Sequence, residues 1–232
     1  MVSVVDAVAV GLLAGIVATL AVAVRRGNVS AAVNALVSLG AALLPTAAAL
    51  WLPVWQGVTL PTGAPLTAWL AAAGFLHSLG MLGLYESLWW WDHLTHLVSG
   101  ALVAALCYAG LVALGQSPDA VDLSGPTIVG LTITLTMLAG VFWELVELVA
   151  RDVGERLDVE PVLVHYGWRD TAYDLGFDLA GALLVVAVDL RAFVPIAAES
   201  TSATRTVLLA AGGALLVGSA AMAALVGLGG SR

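Results

Sequence analysis

Seven stretches of apolar residues, each about 20 residues long, run through the chain. A helix rises about 1.5 Å per residue, so each stretch is long enough to cross the ~30 Å hydrocarbon layer of a bilayer. The stretches cover residues 4–24, 31–51, 66–85, 94–114, 128–148, 172–190 and 207–228. We therefore expect an all-α fold, a polytopic bundle of transmembrane helices in an integral, multi-pass protein of the cell membrane.

The sixth stretch is the weakest of the seven. Asp174, Asp178 and Asp189 interrupt it, and its longest apolar run, 179–188, would not cross a bilayer alone. We keep it because 181–188 is strongly apolar, and because the loop between its neighbours would otherwise be implausibly long. Six spans is the alternative.

The composition excludes a soluble protein. Hydrophobic residues make up 61% of the 232 residues and charged residues only 10%, against about 25% in an ordinary soluble domain. The mean hydropathy is +1.02. With no shift in composition along the chain, residues 1–232 are expected to form a single integral membrane domain.

Basic residues predict the orientation. All eight are Arg, and Arg25 and Arg26 directly follow the first apolar stretch. Because cytoplasmic loops carry an excess of basic residues, we expect the N-terminus to lie outside. Six Arg residues then fall inside, and only Arg191 and Arg205 fall outside.

Missing residue types exclude several functions. Without Lys the chain can form neither a Schiff base with retinal or pyridoxal nor a Walker A phosphate loop. A single cysteine, Cys107, excludes an internal disulfide. A net charge of −8 and the absence of an extended basic cluster argue against nucleic acid as a partner.

Ionisable residues gather at one membrane face. They lie where the fourth span begins, where the fifth ends and where the sixth begins, and alternating chain direction brings these three ends together. By helical spacing Asp92 and His96 share a face, as do Glu144 and Glu147. The groups are Asp92, His93 and His96; Glu144 and Glu147; and Asp170, Asp174 and Asp178.

Such a cluster needs neutralisation, because an ionised carboxylate in a membrane costs several kcal/mol and neighbouring acids repel one another. Imidazole with carboxylates is the ligand set preferred by Zn, Mn or Fe, so a divalent metal site is the leading hypothesis. Its expected ligands are Asp92, His93, His96, Glu144, Asp174 and Asp178. The alternatives are a network of protonated, hydrogen-bonded carboxylates and, for Asp92, His93 and Asp170 near the rim, simple solvation.

Three other features are weaker. His77, inside the third span, is more often a hydrogen-bonded residue between helices than a ligand. The segment 151–169, which includes His165, is expected to be a loop that could cover the site. Asp189 lies on the same stripe as Asp178 near the opposite face, either as the exit of an ion path or as a solvated helix end beside Arg191.

The motifs around these groups resemble those of the YjdF-like predicted membrane proteins and, more distantly, the VanZ-like family. Asp-x-x-x-His at 92–96, Glu-x-x-Glu at 144–147 and the Asp-rich span that ends in Gly-Ala at 181–182 carry the resemblance, over about residues 89–184. It implies that the three acidic groups form one site, and it implies no substrate.

The leading functional hypothesis is a metal-dependent membrane hydrolase of a lipid or another amphiphile, with Glu147 as general base. A cation or proton-coupled transporter that uses the same carboxylates is the first alternative. A non-catalytic subunit of a membrane complex is the second.

Overall fold

The computed structural model describes residues 3–56, 64–117, 123–158, 163 and 167–229. Every regular element in these ranges is helical, which confirms the all-α fold. In chain order the helices are α1 (Val4–Arg26), α2 (Val29–Gln56), α3 (Ala64–Leu79), α4 (Tyr85–Ser87), α5 (Trp91–Gly115), α6 (Gly125–Leu157), α7 (Trp168–Ala187), α8 (Val194–Ala198) and α9 (Thr201–Gly229), with a π-helical turn at Gly80–Leu84.

Six of the helices are long and apolar enough to cross a membrane: α1, α2, α3 with its continuation to Ser87, α5, α6 and α9. The multi-pass membrane architecture is therefore confirmed. Helix α7 has 20 residues, enough length for a span, but Arg169 and three aspartates keep it out of this group by composition. The seventh span and the outside position of the N-terminus stay predictions.

The two faces of α7 differ in polarity. Asp174 and Asp178 are buried, whereas Tyr173, Leu183 and Leu184 are exposed. Apolar side chains therefore face outwards over most of the helix, and two of its carboxylates face the protein. This distribution is what a lipid-facing helix with a polar inner side requires.

The chain divides into two compact units, Met1–Thr95 and His96–Arg232. The boundary falls inside α5, so the first turn of that helix belongs to the first unit and the rest to the second. The expectation of a single membrane domain stays a prediction.

In the first unit, α1, α2 and α3 pack around small residues. The fully buried core consists of Ile16, Ala35, Ala42 and Ala71. Helix α1 begins with a capping box, in which Ser3 and Asp6 each accept a hydrogen bond from the other's backbone N–H. It ends at Gly27, whose φ of 67° is the left-handed conformation common after a helix C-terminus.

A π-helical turn interrupts the end of α3. Gly83 has a φ of 122°, a conformation that glycine adopts without strain. The ring of Tyr85 lies directly against the Cα of Gly80, where a Cβ atom would collide with it. The Tyr85 hydroxyl lies 2.6 Å from Nδ1 of His77, so this histidine has a hydrogen-bond partner within its own candidate span.

In the second unit, α6 is longer than the sequence indicated. Residues 151–157 continue the helix, so the expectation that a loop begins at Arg151 is wrong. The reason is that charged side chains one turn apart support the helix: Arg151 with Glu155 at 3.6 Å and Arg156 with Asp152 at 2.7 Å. The helix ends at Asp158, which adopts the left-handed conformation with a φ of 53°. His165 and its suggested role in a lid lie outside the described residues.

Candidate metal centre

Three helices of the second unit bring an imidazole and three carboxylates together. His96 comes from α5, Glu144 from α6, and Asp174 and Asp178 from α7. Their exposed fractions are 5%, 4%, 2% and 4%, so all four are buried. Asp174 and Asp178 share the inner face of α7 because they are four residues apart.

His96 lies between two carboxylates. Its Nδ1 atom is 3.4 Å from Oδ1 of Asp178, and its Nε2 atom is 3.9 Å from Oε1 of Glu144. Ligand atoms of His96 and Asp174 lie within 4.8 Å of each other, as do those of Asp170 and Asp174. The structure therefore brings together four of the six predicted ligands within the second unit.

Glycines on the two neighbouring helices make the space that Asp178 occupies. A Cβ atom at Gly100 of α5 would lie 2.7 Å from the Asp178 Cα and 2.8 Å from Oδ1. A Cβ atom at Gly140 of α6 would lie closer than 3.0 Å to Oδ2. One oxygen of the Asp178 carboxylate thus lies against the backbone of α5 and the other against that of α6, so the carboxylate has little room to move.

A third glycine brings α7 against α5. A Cβ atom at Gly181 would lie 2.6 Å from the Leu97 carbonyl oxygen and 2.7 Å from the Ala101 nitrogen. Only a residue without a side chain permits this approach, the usual reason for small residues at helix contacts in membranes. Gly181 therefore sets the distance between the helices that carry His96 and Asp178.

Gly140 was missed by the sequence analysis, although a signal was present. It lies four residues before Glu144, and Thr132 and Thr136 continue the same spacing towards the start of α6. Both threonines are buried, with exposed fractions of 0% and 1%, and their hydroxyls donate to the carbonyls of Ile128 and Thr132. The inner face of α6 is therefore a polar stripe that ends at Glu144.

Glu147 is half-buried one turn beyond Glu144, and its Oε1 accepts a hydrogen bond of 2.8 Å from the indole N–H of Trp143. This contact fixes one oxygen of the carboxylate and orients the other. Its role as general base stays a prediction.

Asp92 and His93 lie in the first turn of α5, within the first unit. The Thr95 hydroxyl donates to the carbonyl of Asp92 at 2.7 Å, and its oxygen lies 3.3 Å from Oδ1 of the same residue. His93 is 8% exposed, and its ring packs edge-on against Trp89 with centroids 6.1 Å apart. Their roles as metal ligands stay predictions.

Asp189, beyond the end of α7, is engaged in a different contact. Its Oδ1 atom accepts hydrogen bonds from Arg191 Nε at 2.8 Å and from the Tyr108 hydroxyl at 2.5 Å. Hydrogen bonding from the Arg191 guanidinium, and then from Tyr108, lowers the pKa of the Asp189 carboxyl below its ordinary value of 3.8. This agrees with the interpretation as an exposed helix end beside Arg191.

One protein family matches most of the chain, over residues 7–194, and its description is a predicted membrane protein. The chain belongs to this family, DUF2238. The YjdF-like resemblance is a resemblance to a clade of the same family, whereas the VanZ-like resemblance is not supported. No curated protein and no solved structure matches the chain.

The family match is longer than the motifs indicated. The motif resemblance covered about 89–184 and left out the first two spans, but the match starts at residue 7 and therefore includes α1 and α2. It ends at residue 194, after α7, so α9 lies beyond it. All the helices that carry the acidic groups are inside the match.

The geometry around His96 is suited to a cation. The 3.9 Å separation of His96 Nε2 and Glu144 Oε1 exceeds the ordinary hydrogen-bond range of about 2.7–3.2 Å and leaves room for an ion between the two atoms. The carboxylate and imidazole groups could thus hold a metal ion.

Proposed function

We propose that His96, Glu144 and Asp174 bind a divalent metal ion and that Asp178 orients the histidine. The arrangement of His96 carries the proposal: an imidazole has two ring nitrogens, and each faces a buried carboxylate from a different helix. In protein metal sites one nitrogen commonly ligates the ion while the other donates its proton to a carboxylate. The closer approach, to Asp178 Oδ1, assigns the proton-donating role to Nδ1.

Charge supports the same assignment. Three carboxylates with one neutral imidazole would carry a charge of about −3 in a site that excludes water, and such a charge requires protons or cations nearby. A divalent ion neutralises two of these charges and would satisfy ligand atoms that burial has removed from water.

The reaction we propose is hydrolysis of a lipid or another amphiphile. The ion would supply activation of a water molecule at neutral pH. Glu147 would accept the proton of that water, since it lies one turn from Glu144 on α6 and the hydrogen bond from Trp143 holds its carboxylate in place. His96 and Asp174 each lie within about two turns of the first residue of α5 or α7, so we expect the site to lie near one face of the membrane.

Metal content tests the first part of the proposal. Protein purified in detergent without chelators is analysed by elemental mass spectrometry as wild type, His96→Ala and Asp174→Asn, with Asp189→Asn as the matched control. We expect stoichiometric Zn, Mn or Fe in the wild type and in the control, and its loss in the two site variants. Metal-free wild type after titration with each ion would contradict the site.

Activity tests the second part. Metal-loaded protein in nanodiscs is incubated with a panel of phospholipids, and free fatty acids and released headgroups are measured by mass spectrometry. We expect turnover that a chelator removes and that the same ion restores. Turnover in a His96→Ala, Asp178→Ala double variant would contradict hydrolysis at this site.

The polar stripe on α6 favours one second candidate, a cation or proton-coupled transporter. Thr132 and Thr136 extend the polar face from Glu144 towards the other side of the membrane. Under this proposal Thr136→Val, which removes a hydroxyl at nearly constant volume, should slow metal or proton flux into liposomes. Under hydrolysis the same variant should keep its turnover. A protein inactive in both assays would favour a non-catalytic subunit.

A further inference from the structure

An apolar groove lies at the opposite end of the second unit from the acidic cluster. It has a volume of about 480 Å³, within the range of about 300–1,000 Å³ typical of small-molecule sites. It is lined by the C-terminal end of α5 and by the first halves of α6 and α9, chiefly through leucines such as Leu111, Leu135 and Leu208. Among the residues that the structure describes, its charged lining residue is Arg205.

The dimensions of the groove match one leaflet of a bilayer. Along α9 the lining residues extend from Arg205 to Leu216, eleven residues apart, or about 16 Å. Half of a hydrocarbon layer of ~30 Å is about 15 Å. Arg205 lies one turn after α9 begins and Leu216 lies at the middle of the helix, so a membrane-spanning α9 would place Arg205 at headgroup depth and Leu216 near the bilayer centre. The lining residues Leu209 and Leu216 are 67% and 60% exposed, so the groove opens sideways to the lipid.

We propose that this groove binds one anionic phospholipid, with an acyl chain along the leucines and the phosphate at Arg205. Among the described residues no carboxylate forms an ion pair with this arginine, and guanidinium binds phosphate with charge-assisted hydrogen bonds. Glycines at positions 212 and 213 keep the α9 side of the groove open, and a Cβ atom at Gly213 would meet nothing within 4 Å.

This site is separate from the proposed metal centre. On α5, His96 precedes Leu111 by fifteen residues, a helical distance of about 22 Å. A phosphate at Arg205 is therefore far from the acidic cluster, and the bound lipid is a structural ligand of the second unit rather than a substrate.

Native mass spectrometry of the full chain in detergent tests the proposal. Dioleoyl phosphatidylglycerol and dioleoyl phosphatidylcholine, which differ only in their headgroups, are each titrated against the protein. We expect one retained phosphatidylglycerol, with about tenfold weaker binding of phosphatidylcholine. Arg205→Ala should remove this preference, and Gly213→Leu, which fills the groove, should weaken the binding of both lipids at least tenfold.

Two variants serve as matched controls. Gly227→Leu adds the same side chain to α9 at a glycine whose Cβ would also meet nothing within 4 Å but which does not line the groove. Arg26→Ala removes an arginine from α1. Both should bind lipid like the wild type. A preference that survives in Arg205→Ala, or unchanged binding in Gly213→Leu, would overturn the proposal. Loss of a protein dimer instead of lipid in Gly213→Leu would assign the groove to a second copy.

Discussion

Replacing Gly140 with alanine tests how tightly Asp178 is held. The added methyl group would lie closer than 3.0 Å to Oδ2 of Asp178 and 3.0 Å from a methyl group of Leu175, whereas ordinary contact begins at 3.4 Å. The carboxylate must therefore move by more than 0.4 Å, away from α6. Gly130, on the same helix, is the matched control, because a Cβ atom there would meet nothing within 4 Å.

The expected effect follows from the difference between the two variants. Each exchanges glycine for alanine inside α6, so both gain about 1 kcal/mol of helix propensity, and this gain cancels in the comparison. Overpacking remains, at about 1–3 kcal/mol. We therefore expect Gly140→Ala to melt roughly 2–12 °C below Gly130→Ala, since 1 kcal/mol shifts the Tm of a chain of this size by about 2–4 °C.

The assay is thermal unfolding of the purified protein followed by circular dichroism, combined with a double-mutant cycle. If the collision is with the carboxylate, Asp178→Ala should relieve it, so Gly140→Ala should cost at least about 1 kcal/mol less in that background. Displacement of Asp178 should also lower metal content, because the carboxylate would no longer orient His96. Equal costs of Gly140→Ala in both backgrounds, or equal melting of Gly140→Ala and Gly130→Ala, would refute the reasoning.

Three further predictions concern α7 and its neighbours. Gly181→Ala places a methyl group against the backbone of α5 and should lower the Tm by several degrees. Gly176→Ala is the control and should not lower it, because a Cβ atom at Gly176 would meet nothing within 4 Å. Similar Tm values for the two variants would count against close packing of α5 and α7. The lowered pKa of Asp189 means that its pairing with Arg191 stabilises the fold above about pH 4 and is lost as the pH falls further. Thermal melts from pH 6 to pH 2 should therefore fall less steeply for Asp189→Asn than for the wild type, and parallel curves would contradict this. Glu147→Gln should keep its metal, measured by elemental analysis, and lose lipid hydrolysis, and full turnover would remove Glu147 from the mechanism.

The helices and the acidic groups were predictable for different reasons. Length and apolarity alone place α1, α5 and α9, because crossing a bilayer leaves few other options for such stretches. Spacing of three or four residues places Asp174 and Asp178 on one face of α7. The contact between His96 and both Asp178 and Glu144 depends on how α5, α6 and α7 pack, and the sequence indicated only that their ends share a membrane face.

Two features were not predicted because the sequence around each of them resembles something else. Residues 151–157 are charged enough to look like a loop, yet their charges pair one turn apart and extend α6. Gly140 looks like one of many glycines in an apolar span, since 25 occur in the chain. Only the position of the Asp178 carboxylate shows that a side chain at Gly140 is excluded.

Average hydropathy would underestimate α7 if this helix crosses the membrane, as the sequence predicts. An average treats its aspartates as if they faced lipid, but Asp174 and Asp178 are buried while Tyr173, Leu183 and Leu184 are exposed. A helix of this kind is stable in a membrane only when its inner face is neutralised, by protons or by a cation. If α7 crosses the membrane, its insertion depends on neutralisation of Asp174 and Asp178, and a metal ion at His96 would then stabilise the membrane fold as well as support the proposed reaction.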